Sequence, residues 1–162
     1  MQLPKHQFVI ENQANLSEHL IDSYSWDSYG NLRKHGLDLE EQAVFEDEFI
    51  AYIYDSLNWL VTWNPGTEVQ SEGLNLHGVT VIAGQETLSK LHQVLKCWAE
   101  LFSNAPDSVV LTGNYCIDGE KGVGYSEKLV YNKSDLIKEL NKLVAMTRHA
   151  QADEACIVHF GI

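Results

Sequence analysis

The sequence predicts an α+β fold. A split β-α-β-β-α-β unit, the ferredoxin-like arrangement, is expected to build a four-stranded, mainly antiparallel sheet from residues 74–162, with a helical layer from residues 1–73 against it. Three observations carry this. Apolar residues recur at three and four in two stretches of the C-terminal half, around Leu88–Phe102 and Leu136–Thr147. Two β-rich runs flank the turn Asp118-Gly119-Glu120-Lys121-Gly122. Short apolar runs at Leu74–Ala83 and Ala155–Ile162 open and close the unit.

Taken in order, Gln7–Ile10 is expected as a short edge strand, and Asn15 as the cap of a short helix in which Leu16, Leu20, Ile21 and Tyr24 share a side. Tyr24–Gly30 reads as a loop carrying aromatics. Within Asp38–Trp63, Phe45, Phe49, Ile53, Leu57 and Leu60 fall on one face at a helical period, widened by Ile50 and Val61, so a helix packed on a core is predicted there. Its last residues, Trp59–Trp63, are also compatible with an extended segment, and Asn64-Pro65-Gly66 is a strong turn signal. The polar stretch Pro65–Gly73 is the natural internal seam of a single domain spanning 1–162.

Beyond the seam, Leu74–Ala83 reads as a strand that shifts phase near Gly78. Thr87 is placed to cap a helix whose Leu88, Leu91, Val94, Leu95, Trp98, Leu101 and Phe102 form its apolar side, ending at Asn104-Ala105-Pro106. Ser108–Ile117 and Val123–Tyr131 make a hairpin. Ser134 with Asp135 starts a second helix with Leu136, Leu140, Leu143 and Thr147 on one stripe, and Ala155–Ile162 closes as a buried strand.

Charge narrows the function classes. The 162 residues carry a formal charge of −12, and nucleic-acid binding rests on Lys and Arg displacing counterions, so a phosphate backbone is a poor partner. The acidity is uneven: residues 1–75 hold 13 acids and 3 bases, whereas residues 76–162 hold 10 acids and 8 bases. The first half also holds ten of the sixteen aromatics. Aromatic anchors among acids are what a fast-associating interface with a cationic protein uses. No window is apolar enough for a membrane span, and the N-terminal residues lack the pattern of a signal peptide. Three cysteines, Cys97, Cys116 and Cys156, have no paired spacing. A cytoplasmic protein without a disulfide framework is expected.

Seven acids lie between Asp38 and Asp55 with no Lys or Arg among them, so no i,i+4 ion pair within that helix neutralises them. Glu41, Glu48 and Asp55, seven apart, are expected to line one flank, with Tyr52 and Trp59 beside them. Asp38, Glu41, Asp47, Glu48, Tyr52, Asp55 and Trp59 are therefore the expected partner-binding residues. The partner is a basic protein; by size and charge, an immunity protein that blocks a nuclease toxin fits this profile. A plain solvated helix face is the competing account of the same acids, and association of copies through exposed aromatics is a third.

Catalytic and metal motifs are weak. Cys156 and His159 are the nearest Cys and His pair, yet three positions apart on a strand they point to opposite faces. His77, Cys116 and His159 could converge across a sheet. Glu46, on the apolar side of the predicted helix, could be a buried acid or a residue at the helix start with its head in water. An alternative to the binding protein is thus an enzyme or small-ligand binder with a pocket between the sheet and the N-terminal helices. Gly119, Gly122 and Gly124 join two strands and lack the P-loop pattern. His6, His19 and His35 are expected to be exposed, and no cofactor or metal is called for.

Overall fold

The computed structural model describes residues 4–162. Its central element is β1 (Lys5–Glu11), where apolar Phe8 and Ile10 alternate with Gln7, Val9 and Glu11. Two turns of 3-10 helix follow, Gln13–Asn15 and Leu20–Ser23, the first capped by the Asn12 side chain. Then come β2 (Tyr24–Trp26), β3 (Leu32–Lys34), β4 (Leu37–Asp38), β5 (Gln42–Glu46), α1 (Asp47–Leu57), β6 (Val61–Trp63) and β7 (Gln70–Glu72). The C-terminal half supplies β8 (Val79–Ile82), α2 (Gln85–Ser103), β9 (Ser108–Ile117), β10 (Gly124–Asn132), α3 (Lys133–Ala152) and β11 (Cys156–Phe160).

The fold is α+β, but its main sheet has six strands in the order β5-β1-β11-β8-β6-β7, every described pairing antiparallel. The expected β-α-β-β-α-β succession is present along the chain as β8, α2, β9, β10, α3 and β11. The expected four-stranded sheet is not, because β9 and β10 pair only with each other. Their place beside β8 is taken by β6, through Trp63 opposite Val81. The N-terminal part is likewise no helical layer: it gives four of the six main strands and a single α-helix among the described residues.

Local chemistry explains the differences. Ala43 and Phe45 are buried while Gln42, Val44 and Glu46 are half-buried, a period of two that makes β5 extended up to Glu46. The helix starts only at Asp47, with Glu46 as N-cap residue and Asp47 and Glu48 in the first turn, where the macrodipole favours acids. Gln7–Ile10 lies in a central strand rather than an edge, since β1 sits between β5 and β11. Asn15 donates to Glu11 instead of capping a helix. The aromatic segment Tyr24–Gly30 forms β2 and a turn, and β3 returns to β4 through His35 and Gly36, both at positive φ as a two-residue hairpin turn requires. Strand β8 begins at Val79, so the predicted phase shift is a loop ahead of the strand. Gly84, at φ 87, rather than Thr87, is the N-cap of α2; Asn132, accepting from the Asp135 N–H, caps α3.

Both sheet faces are filled. Phe8, Ala43, Phe45, Ile82 and Ile157 meet α1, α2 and α3 in one core. On the other face Val9, Val81, Val158 and Phe160 pack against Leu20, Tyr24 and Leu32 of the β2–β4 layer. Gln7 fastens that layer by accepting from the Leu32 N–H and donating to the Gly30 carbonyl, each at 2.9 Å.

The same face holds a buried carboxylate. Glu11 accepts from Tyr24 Oη and Lys34 Nζ at 2.7 Å, from Asn15 Nδ2 at 2.8 Å and from the Asn12 N–H at 3.0 Å. Burial works to raise its pKa, but these donors outweigh it and hold Glu11 below 4.5. A depressed carboxylate pKa contributes stability above the unfolded value, and that contribution is lost as pH falls through the folded one. Replacing Glu11 by Ala strands the Lys34 ammonium and the Tyr24 hydroxyl, and should cost about 3 kcal/mol in urea denaturation; an unchanged midpoint would show that the network contributes nothing.

Candidate protein-binding surface

The outward positions of α1 define the surface. Phe49, Ile50, Ile53 and Leu57 are buried, which leaves Glu48, Tyr52, Asp55 and Trp59 at helical spacing on the side away from the core. Tyr52 packs edge-on against Trp98 of α2, with ring centroids 6.1 Å apart, and Trp98 stacks on Phe102 at 5.5 Å. The Trp98 indole N–H donates to Ser56 Oγ at 2.9 Å, which fixes the ring between the two helices. Beside it Ser56, Trp59, Val94, Cys97 and Leu101 line an open groove of about 400 Å³ that is almost wholly apolar. Trp59 is 64% exposed and Leu101 59%. At the other end of α1, Glu48 and Tyr52 share a shallow depression with Asn114 and Glu127 of the β9–β10 hairpin.

The acids expected to form one strip are distributed differently. Glu41 precedes the helix and cannot align with Glu48 and Asp55; its carboxylate bonds His149 Nδ1 at 2.8 Å. The hydrogen bond and charge of Glu41, with Asp153 adding to them, hold His149 above its ordinary pKa. Asp38, on β4, pairs with Arg33 at 3.2 Å, and Asp47 accepts from His6 at 2.9 Å. Partners distant in sequence therefore answer Glu41 and Asp47, while Asp38 is answered across the β3–β4 hairpin by Arg33. Glu46, Glu48, Asp55 and Glu127 have no ion-pair partner among the described residues. Their field is felt locally: burial, then the charges of Glu46 and Glu48, push the Tyr131 hydroxyl up to about 12.

The alternative chemistry does not assemble. Glu46 lies at the helix start, half-buried, and lines a groove with Tyr131 and Glu139. His77 faces a different groove, with Trp26 and Phe160. Cys116 is on the hairpin opposite Tyr125. His159 is fully buried among the strands, and Cys156, pointing to the other face as expected, donates its thiol to the Glu11 carbonyl. Burial and the charge of Glu11 push that thiol up to about 12, so it is inert rather than nucleophilic. Among the described residues no group of three or more His, Cys, Asp or Glu could hold a metal ion, and no helix is long and apolar enough to cross a membrane.

Two features were missed in the sequence. Trp98 and Leu101 were placed with the core residues of α2, yet Leu88, Leu91, Leu95, Ala99 and Phe102 fill the core, whereas Val94, Trp98 and Leu101 form a second line. An apolar face that wide on one helix was the available signal. His6, expected to be exposed, is fully buried: its Nε2 bonds Asp47, and its Nδ1 lies 2.8 Å from His159 Nε2. A carboxylate only accepts, so His6 presents Nε2–H to Asp47; one proton is shared between His6 Nδ1 and His159 Nε2, and His159 Nδ1 is buried without a hydrogen-bond partner among the described residues.

No family model matches this chain, and no curated protein or solved structure matches it either.

Burial, with His6 adding to it, holds His159 well below 6.5, so it is neutral in the folded chain. Its contribution to stability is present above 6.5 and is lost as pH falls from there toward the folded value. Nitrogen-15 spectra of the imidazoles should show a proton on His6 Nε2, the nitrogen that faces Asp47. A bare His6 Nε2 would show that the link to Asp47 is not made.

Proposed function

We propose that this chain is a small acidic binding protein that neutralises or regulates a basic protein. The observation that carries the reading is the outer side of α1, where Glu48 and Asp55, without cationic partners among the described residues, share the helix with Tyr52, and the exposed Trp59 just beyond its end walls the apolar groove against α2. The two components act differently. Unpaired surface acids steer a cationic protein toward the surface and set the association rate, whereas a desolvated aromatic in an apolar groove holds it and sets the dissociation rate.

Asp38, Glu41 and Asp47 belong to the same acidic half, but Arg33, His149 and His6 already engage them. The working centre is Glu48, Tyr52, Asp55 and Trp59, completed by Trp98 and Leu101. Inhibition of a basic nuclease toxin by an immunity protein is the form of this activity that best matches a charge of −12 in 162 residues.

The partner is sought by capture on the immobilised chain from a lysate of the encoding organism, washed at low and then high salt. With that protein in hand, reversing Glu48 and Asp55 to Lys should slow association about tenfold and flatten its salt dependence while leaving dissociation nearly unchanged. Trp59→Ala should instead speed dissociation about thirtyfold, the effect of losing one interface anchor. Unchanged kinetics in both variants would remove this surface from the interface.

A further inference from the structure

We infer that the β9–β10 hairpin is a self-association arm, through which β9 of one copy pairs antiparallel with β9 of a second copy about a two-fold axis. Two hairpins then become one continuous four-stranded sheet. The inference does not rest on the proposed binding of a basic protein, although Thr112 and Asn114 of β9 border the depression that holds Glu48 and Tyr52.

Strand β9 runs for ten residues and pairs with β10 alone. In an antiparallel pair, alternate residues turn their N–H and C=O groups away from the partner strand. Among the described residues nothing hydrogen-bonds those outward groups between Val109 and Cys116. The edges of the main sheet are treated otherwise. On β5 the Val44 N–H donates to the Glu139 carboxylate at 3.1 Å, and β7 is only three residues long and ends in Glu72. Short edges and charged side chains are the usual protection of a sheet against pairing with another chain. Strand β9 has neither, nor does it contain a proline; its register with β10 shifts at Gly113 and Asn114, which leaves Ser108–Thr112 as the regular stretch of edge offered to a second copy.

Charge selects the occupant. At −12, two copies repel over most of their surface, yet β9 contains no charged residue from Ser108 to Ile117 and is the longest described strand. A strand running antiparallel to itself is self-complementary under a two-fold axis, so a second copy meets the requirement without any other feature. Side chains agree with this. Val110 and Val130 are exposed as a cross-strand pair, and Tyr115 (70%) and Ile117 (68%) stand in water further out. Tyr115 lies over Gly124 of β10, where a Cβ would meet its hydroxyl and ring. A two-stranded ribbon is marginal by itself, and added strands stabilise it.

Sedimentation velocity of the intact chain from dilute to concentrated solution should show a monomer–dimer equilibrium. Val110→Lys with Thr112→Lys, both at exposed positions, sets like charges across the new seam and should weaken dimerisation about tenfold or more. Hydrogen exchange of the unaltered chain gives a second reading that does not depend on the variant folding: alternate β9 amides should be protected in concentrated solution and exchange freely when dilute. A monomer at every concentration overturns the inference. So does a dimer in which β9 exchange is indifferent to concentration, or one that survives the lysines in a folded variant.

Discussion

The ladder between β1 and β11 is the constraint on which the rest of the molecule depends. It joins Gln7–Glu11 to Cys156–Phe160, nearly the two ends of the chain, in antiparallel register. Because side chains alternate across a strand, this one pairing decides what each face receives. Phe8, His159, Ile10 and Ile157 are sent to the helices; Val9, Val158, Glu11 and Cys156 go to the β2–β4 layer. A slip by one residue would exchange the faces, burying Glu11 under the helices and aiming Phe8 at the Tyr24 layer. The buried polar groups enforce the register, since His6 finds His159 and Asp47 only in this alignment, and Glu11 finds Tyr24, Lys34 and Asn15.

The acidic half folds with few bases of its own because those it has, and one histidine of the other half, are placed against particular acids. His149 near the end of α3 meets Glu41, His6 meets Asp47, and Lys34 closes on Glu11. The exposed His149–Glu41 pair contributes little to stability, whereas the buried Glu11 and His6 depend on their partners. The common effect of the three pairs is on the pattern: they remove three acids from the free field and leave Glu48 and Asp55 as the unanswered pair on α1. They stand on the same helix that ends at the apolar groove, whose walls are Ser56 of α1, Trp59 just after it, and Trp98 and Leu101 of α2.

The two proposed interfaces divide the molecule by chemistry. Acid beside exposed aromatic, on α1 and α2, suits a cationic protein. An uncharged strand with a bare edge, on β9, suits another copy of the chain. Each lies outside the two cores, so a partner on either need not disturb Phe8, Phe49 or Ile157.

How much of this was legible follows the range of the forces involved. Elements set by local periodicity were readable: the helices α2 and α3, the β9–β10 hairpin and the buried strand β11 stand where Leu91–Leu95, Leu136–Leu143, the turn at Asp118–Gly122 and Cys156–Phe160 placed them. That Tyr52, Asp55 and Trp59 are exposed and Glu48 half-buried also follows from the spacing of Phe49, Ile53 and Leu57. Where a short apolar run satisfies both periods, as at Ala43–Phe49, the sequence could not choose between strand and helix; pairing with β1 chose strand up to Glu46. The departure of β9 and β10 from the sheet, the burial of His6 beside His159, and the ion pairs of Glu41 and Asp47 were decided by tertiary structure alone. Each depends on which distant strand or side chain arrives first at a given edge or charge, and a period read along one segment carries no record of that.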